Sequence, residues 1–306
     1  MSNVDQYVNA ATRQNTRRSY QAAVEHFEVS WGGLLPATAD SIARYLACCA
    51  GQFSVNTLKL RLAALGQWHI EQGFPDPTKA PLVKKVLKGI RELHPAQEKQ
   101  ATPLQIMHLE SLDVYWATRL EQLNDPTAIL RIQRNRALVL LGFWRAFRSD
   151  ELCRVEVQNM VIDPNNGMTI FLPRSKSDRN NQGRKYRCPA LSRLCPVTAC
   201  QSWVRAASIQ QGPLFRGIDR WGHLRLKEMH ANSVIPLLRA ELKQAGIERS
   251  SHFSSHSLRR GFASWANSND WDVKSLMEYV GWKDVSSALR YIEGADPFKQ
   301  QSRRRL

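Results

Sequence analysis

Six cysteines in 306 residues, Cys48, Cys49, Cys153, Cys188, Cys195 and Cys200, are too few and too irregularly spaced for a secreted disulfide scaffold. Cys195 and Cys200 come nearest to a ligand pair, but no second couple completes a tetrahedral site, so no metal is expected and the thiols read as buried packing residues in a reducing compartment. The sequence also lacks any apolar run long enough to cross a bilayer. Met1 to Gln6 lacks the charged and then apolar pattern of an export signal, so a cytoplasmic protein is expected. Neither an internal repeat nor a low-complexity block is present. Acidic residues are scarce: 27 Asp and Glu stand against 43 Lys and Arg, a formal charge of +16. That balance suits a polyanionic partner better than an acidic small molecule, and nucleic acid is the first expectation.

With 43% hydrophobic residues, the chain is long enough for one large core or two ordinary ones, and two domains are expected. Residues 16–91 carry helical periodicity. Tyr20, Ala23, Val24 and Phe27 form one stripe over 19–29. Ile42, Ala43, Leu46 and Ala47 form another over 40–50, with Asp40 as N-cap, and Leu58, Leu62, Leu65 and Trp68 a third over 55–72. Gly73-Phe74-Pro75 stops the third, and a fourth helix runs from about Pro81 to Glu92. Its Lys84, Lys85, Lys88 and Arg91 are spaced to follow a phosphate backbone, as an ordinary solvated basic face also would be. Residues 94–103, with two prolines and no apolar period, read as a linker, dividing the chain into 1–98 and 99–306.

The second part opens with a dense apolar helix over 127–147. Short β-rich segments follow at 155–157, 168–172 and 185–188, separated by turn residues, which predicts a small antiparallel sheet. Helices are expected again from Pro196 to the end. The fold class is therefore mainly α with a small antiparallel β-sheet in the second domain.

Phosphoryl transfer needs charge neutralised on the non-bridging oxygens, a nucleophile in line, and a proton for the leaving oxygen. Arg148 directly follows the apolar helix, with Ser149 placed to cap the next one. Its fork of donors matches a phosphate, and Glu151 three residues on either orients it or forms an ordinary helical ion pair. His256 and Arg259 share a face of a helix that Ser255 can cap, near an N-terminus that favours anions. The segment 174–193 holds seven basic residues and one acid, among them Arg174, Lys176, Arg179 and Arg184. Such a segment is either a solvated surface or a finger into a groove, and the second reading is favoured because Lys176 can then reach a leaving oxygen. Trp282 offers an indole N–H, and Tyr291 a phenol nine residues later. Each also has an ordinary reading as a packed aromatic.

Taken in order, Arg148 with Glu151, Lys176, His256-Ser257-Leu258-Arg259, Trp282 after Gly281, and Tyr291 resemble the tyrosine recombinase and phage integrase family, in the Cre-like form with Trp rather than His before the tyrosine. The motifs lie within 101–306, and residues 1–98 correspond to the family's short helical core-binding (SAM-like) domain. Many members carry Gly two residues before the first Arg. Here that position is Ala146, which keeps Arg145 in competition with Arg148, although Glu151-Leu152 sets the register for Arg148. The resemblance implies a two-domain DNA clamp and a site-specific recombinase. Tyr291 would form a 3′-phosphotyrosine, Arg148 and Arg259 would clamp the phosphate, His256 would assist deprotonation, Trp282 would hold an oxygen and Lys176 would protonate the leaving 5′-oxygen. No cofactor or metal is implied. The implied assembly is a homotetramer on two sites in double-stranded DNA, exchanging strands through a Holliday junction. A bacterial or phage protein at the nucleoid would serve DNA integration. A type IB topoisomerase and an inactive DNA-binding accessory protein are the rival readings.

Overall fold

In the computed structural model, which describes residues 3–95, 101–163, 166–173 and 182–292, the chain divides into two compact units, Met1–Lys99 and Gln100–Leu306. The first contains α1 (Asn3–Ala11), α2 (Gln14–Glu25) running into a π-helical turn over His26–Ser30, α3 (Ala39–Cys49), α4 (Val55–Glu71) and α5 (Pro81–Leu93). Its core gathers Phe27, Ile42, Tyr45, Leu46, Leu58, Leu62, Leu65, Val83 and Ile90. Two expectations for α3 fail. Thr38, not Asp40, is its N-cap, accepting the Ser41 N–H at 3.2 Å, while Asp40 sits in the first turn and pairs with Arg44 at 2.8 Å. The buried stripe runs through Ile42, Tyr45, Leu46 and Cys49 and leaves Ala47 and Cys48 exposed, because i, i+3, i+4, i+7 spacing from Ile42 passes them by. Cys48 is thus a surface thiol, and Cys195 is half-buried rather than buried.

The second unit begins with α6 (Ile106–Gln122) and α7 (Pro126–Trp144). From Ala137 to Trp144 every residue of α7 is buried, so it is the central helix of this unit. After the short α8 (Ser149–Cys153), β1 (Met160–Asp163), β2 (Gly167–Leu172) and β3 (Arg184–Cys188) form an antiparallel sheet in the order β1-β2-β3. The first strand therefore lies later than expected. Residues 155–157 make only an isolated bridge through Glu156 to Pro213, and Val157–Asn159 turn as a 3-10 helix.

The helices that follow are α9 (Pro196–Ala206), α10 (Val234–Gln244), α11 (Ser255–Ser268), α12 (Val273–Val280) and α13 (Val285–Ile292). They are not continuous, as the sequence had suggested. A hairpin of β4 (Arg216–Ile218) and β5 (Leu224–Glu228) separates α9 from α10. The short strands and the few residues between them give a periodic signal too weak to stand out. α11 packs on α7 and also meets the segment before α6. Leu104 donates to the Ser257 carbonyl at 2.9 Å, and a Cβ on Gly261 would stand 1.9 Å from the Leu104 carbonyl oxygen, so this crossing admits only glycine.

Candidate active site

The C-terminus of α7 leads into a tight turn. Arg145 is buried, and its two terminal nitrogens donate to the carbonyls of Arg187 (2.9 Å) and Tyr279 (2.8 Å), with its guanidinium carbon 3.9 Å from the Tyr279 ring centre. Arg145 therefore fastens β3 and α12 to the end of α7 and is not the open guanidinium of the pair. Tyr279 is equally committed: its hydroxyl, pushed up to about 12 by burial, donates to the Trp144 carbonyl at 2.7 Å. Ala146 then adopts φ +49, the left-handed conformation that glycine takes without steric cost.

Arg148 follows at the N-cap position of α8. Ser149 was expected there but is the first helical residue. The buried Glu151 carboxylate serves Arg148 twice, accepting its backbone N–H at 3.0 Å and its Nη1 at 2.7 Å. The Arg148 side chain remains 26% exposed, so its guanidinium is oriented from behind and open in front.

The N-cap of α11 is Ser254 rather than Ser255. Its Oγ accepts the His256 N–H at 3.2 Å, and its own N–H donates to Ser257 Oγ at 2.8 Å. His256 is exposed. Arg259, three residues and therefore about 60° further round the helix, is only 2% exposed. The helix face that the sequence gives the two residues is therefore open at His256 and closed over at Arg259. Its Nη1 donates to the Ala146 carbonyl at 2.7 Å, and its guanidinium carbon lies 5.1 Å from the Trp282 ring centre. Trp282 is buried, delivered by Gly281, which ends α12 at φ +78. The N–H groups of both residues return to the Met277 carbonyl, at 2.8 and 2.9 Å.

Arg259 thus links the turn before Arg148 to the segment that leads into Tyr291. Tyr291 lies on α13, which packs against α11 and α12, and its side chain falls outside the described residues. Lys176, Arg174 and Arg179 also lie outside them. Arg184 is exposed at the start of β3, yet its Nη2 donates to the Glu278 carbonyl, so part of its donor set already ties the sheet to α12. Lys84, Lys85, Lys88 and Arg91 are all exposed on α5. Motif reading missed Tyr279, and it named Arg145 and Ala146 without their part in shaping the turn, because backbone acceptors distant in sequence leave no local pattern.

Residues 117–296 match the model of the phage integrase family. An integrase/recombinase xerD homolog from Selenomonas ruminantium is 30% identical over 278 residues, covering 89% of this chain and 78% of the relative. Recombinase cre of Escherichia phage P1 is 22% identical over 275 residues, covering 85% and 77%. Among solved structures, the XerH site-specific recombinase in its post-cleavage complex with a palindromic difH substrate aligns with a TM-score of 0.66 at 16% identity, covering 94% of this chain and 78% of that one. The Tn1549 transposon integrase in complex with transposon right end DNA aligns with a TM-score of 0.62 at 15% identity, covering 96% and 93%. The family match spans more than half of the chain, and the range 117–296 contains the positions from Arg148 to Tyr291. This chain belongs to the phage integrase family and is a tyrosine recombinase.

Proposed function

We propose that this recombinase cleaves each strand through Tyr291. The phenolic oxygen attacks the scissile phosphorus as the bond to the 5′-oxygen breaks, leaving a 3′-phosphotyrosine and a free 5′-hydroxyl. Arg148 and Arg259 neutralise the non-bridging oxygens, Trp282 donates its indole N–H to one of them, His256 takes the phenolic proton and Lys176 gives one to the leaving 5′-oxygen. A phosphodiester is exchanged for another ester of similar energy, so the 5′-hydroxyl of a partner strand can reverse the step without an energy-supplying cofactor. The observation that carries this reading is the Arg259 tie, which joins the Ala146 carbonyl, two residues before Arg148, to the indole nine residues before Tyr291. Since Arg259 is closed over in the free chain, we place its engagement with phosphate after a shift of the Trp282–Tyr291 segment on DNA.

The working assembly under this proposal is a homotetramer on two duplex sites that exchanges strands in pairs through a Holliday junction. Residues 1–98 act as the core-binding domain, with Lys84, Lys85, Lys88 and Arg91 on phosphates, and residues 99–306 as the catalytic domain. Arg174 and Arg179, between β2 and β3 in sequence, and Arg184, at the start of β3, add phosphate contacts. The cytoplasm and its nucleoid are where such a substrate is found.

A nicked suicide duplex carrying the recombination site tests the nucleophile. Wild type is expected to trap a covalent protein–DNA adduct whose linked peptide contains Tyr291. Tyr291→Phe is expected to form none while binding the duplex within about three-fold of wild type, because one hydroxyl is a small part of a phosphate-dominated interface. Adduct formation by Tyr291→Phe refutes the assignment.

A further inference from the structure

The β4–β5 hairpin takes no part in the cluster above. Between Arg216 and Glu228 it carries Arg216, Arg220, Arg225 and Lys227 against Asp219 and Glu228, with Trp221 at the tip. Trp221 is 64% exposed, and the Arg220 guanidinium carbon stands 4.0 Å from the centre of its ring. A single exposed indole is ordinary on a protein surface, so the weight falls on how this one is held.

Asp219 Oδ1 accepts the backbone N–H of Trp221 at 2.8 Å and of His223 at 3.0 Å, and its Oδ2 lies 3.2 Å from His223 Nδ1. The Asp219 carbonyl accepts the Gly222 N–H at 3.3 Å and Nη2 of Arg131, from α7, at 2.6 Å. Gly222 has φ +93, and a Cβ there would stand 2.4 Å from Thr127 Oγ1, so the tip is seated on the first turn of α7. The turn is fastened through its own side chain, its main chain and a neighbouring helix. It presents the Arg220 guanidinium and the Trp221 indole side by side from a main chain that need not reorder on binding.

We propose that Arg220 and Trp221 form a second DNA contact, in which Arg220 meets the phosphates or the minor groove and Trp221 packs against the sugar and base edges beside it. The proposal rests on the recombinase reading given above. Arg225 and Lys227 are both exposed on the adjoining strand, which favours a polyanion over a protein partner. Thr127 and Arg148 lie beside opposite ends of α7, roughly 25 to 30 Å apart at about 1.5 Å per residue, which places the contact within about nine base pairs of the cleaved bond. That is the arm of the recognition site, not its point of exchange.

The test is an anisotropy titration of the full-length protein with a labelled mixed-sequence duplex over a range of salt concentrations. Trp221→Ala and Arg220→Ala are each expected to weaken binding by about 5- to 10-fold, and Arg220→Ala alone to lower the log–log salt slope by about 1. Val114→Ala, which trims an exposed apolar residue on α6, is expected to bind as wild type. Part of the wild-type tryptophan quenching on DNA addition is expected to vanish in Trp221→Phe. Wild-type affinity and slope in both tip variants overturn the proposal, as does loss of self-association without loss of DNA affinity, which would make the tip a protein contact. If these variants bind normally while wild type still forms the Tyr291 adduct, the hairpin contact alone fails. If wild type neither binds duplex nor forms the adduct, the recombinase reading falls with it.

Discussion

At the scale of single residues, Glu151 holds both the main chain and the side chain of Arg148 with one buried carboxylate. Glu151→Gln keeps an acceptor for the backbone N–H but can turn an amide toward the guanidinium. Adduct formation on a suicide duplex is expected to slow by about ten- to a hundred-fold, with DNA affinity within about three-fold, because the loss is one of aim and not of charge on the DNA. A parallel loss in affinity would show that Glu151 supports the interface as a whole. Ala146 is a second sensitive position. Its left-handed backbone costs about 1 to 2 kcal/mol. Glycine would relieve that strain but would forfeit a buried methyl, about 0.8 kcal/mol, and stiffness in the unfolded chain, about 0.5 to 1 kcal/mol. Ala146→Gly is therefore expected to leave stability within about 1 kcal/mol of wild type in urea unfolding. Ala146→Val, β-branched at positive φ in a site with no exposure, should lose more than about 2 kcal/mol.

At the scale of elements, the π-helical turn after α2, α3 and α4 meet around a buried cation. Arg61 Nη1 lies 3.0 Å from the Tyr45 hydroxyl and 3.2 Å from His26 Nδ1, and the Arg61 guanidinium carbon is 3.8 Å from the Phe53 ring centre. Burial and the Arg61 charge hold His26 below its ordinary value of 6.5, so the unfolded chain takes up the proton first. Stability is thus fully present above about pH 6.5 and is lost as pH falls from there through the lower folded value. Thermal melts are expected to drop between pH 7.5 and 5.5, and His26→Gln should flatten that dependence. In the first unit α2, α3 and α4 were legible from their apolar stripes, although the stripe on α3 runs through Tyr45 and Cys49 and not Ala47. α5 was legible from its limits and its spaced cations. The β4–β5 hairpin was not, because three- and five-residue strands carry too few alternations. The strand at 160–163 was displaced by the apolar pair Val155 and Val157, which serve a bend instead. In the site, Arg148, His256, Arg259, Trp282 and Tyr291 stand out in sequence by type and order. The burial of Arg259 and the commitment of Arg145 to two carbonyls do not, since both depend on main-chain atoms far along the chain.

At the scale of the whole molecule, each unit has its own apolar core and its own basic excess, +4 over residues 1–100 and +12 over the remainder. Calorimetry is expected to resolve two transitions, with the acid-sensitive one belonging to the first unit. Replacing Lys84, Lys85, Lys88 and Arg91 together by alanine is expected to reduce the salt slope of duplex binding by about 3 to 4, close to 0.9 per phosphate lost, and an unchanged slope would show these cations to be a solvated face. The bond from Arg259 to Ala146 has a further consequence for genetics. Its acceptor belongs to the polypeptide backbone, so no codon change can abolish the oxygen or supply a matched replacement. A suppressor screen begun from an Arg259 variant should therefore return no compensating partner at position 146. The tie can be weakened selectively only by chemical synthesis, with an ester in place of the amide between Ala146 and Phe147.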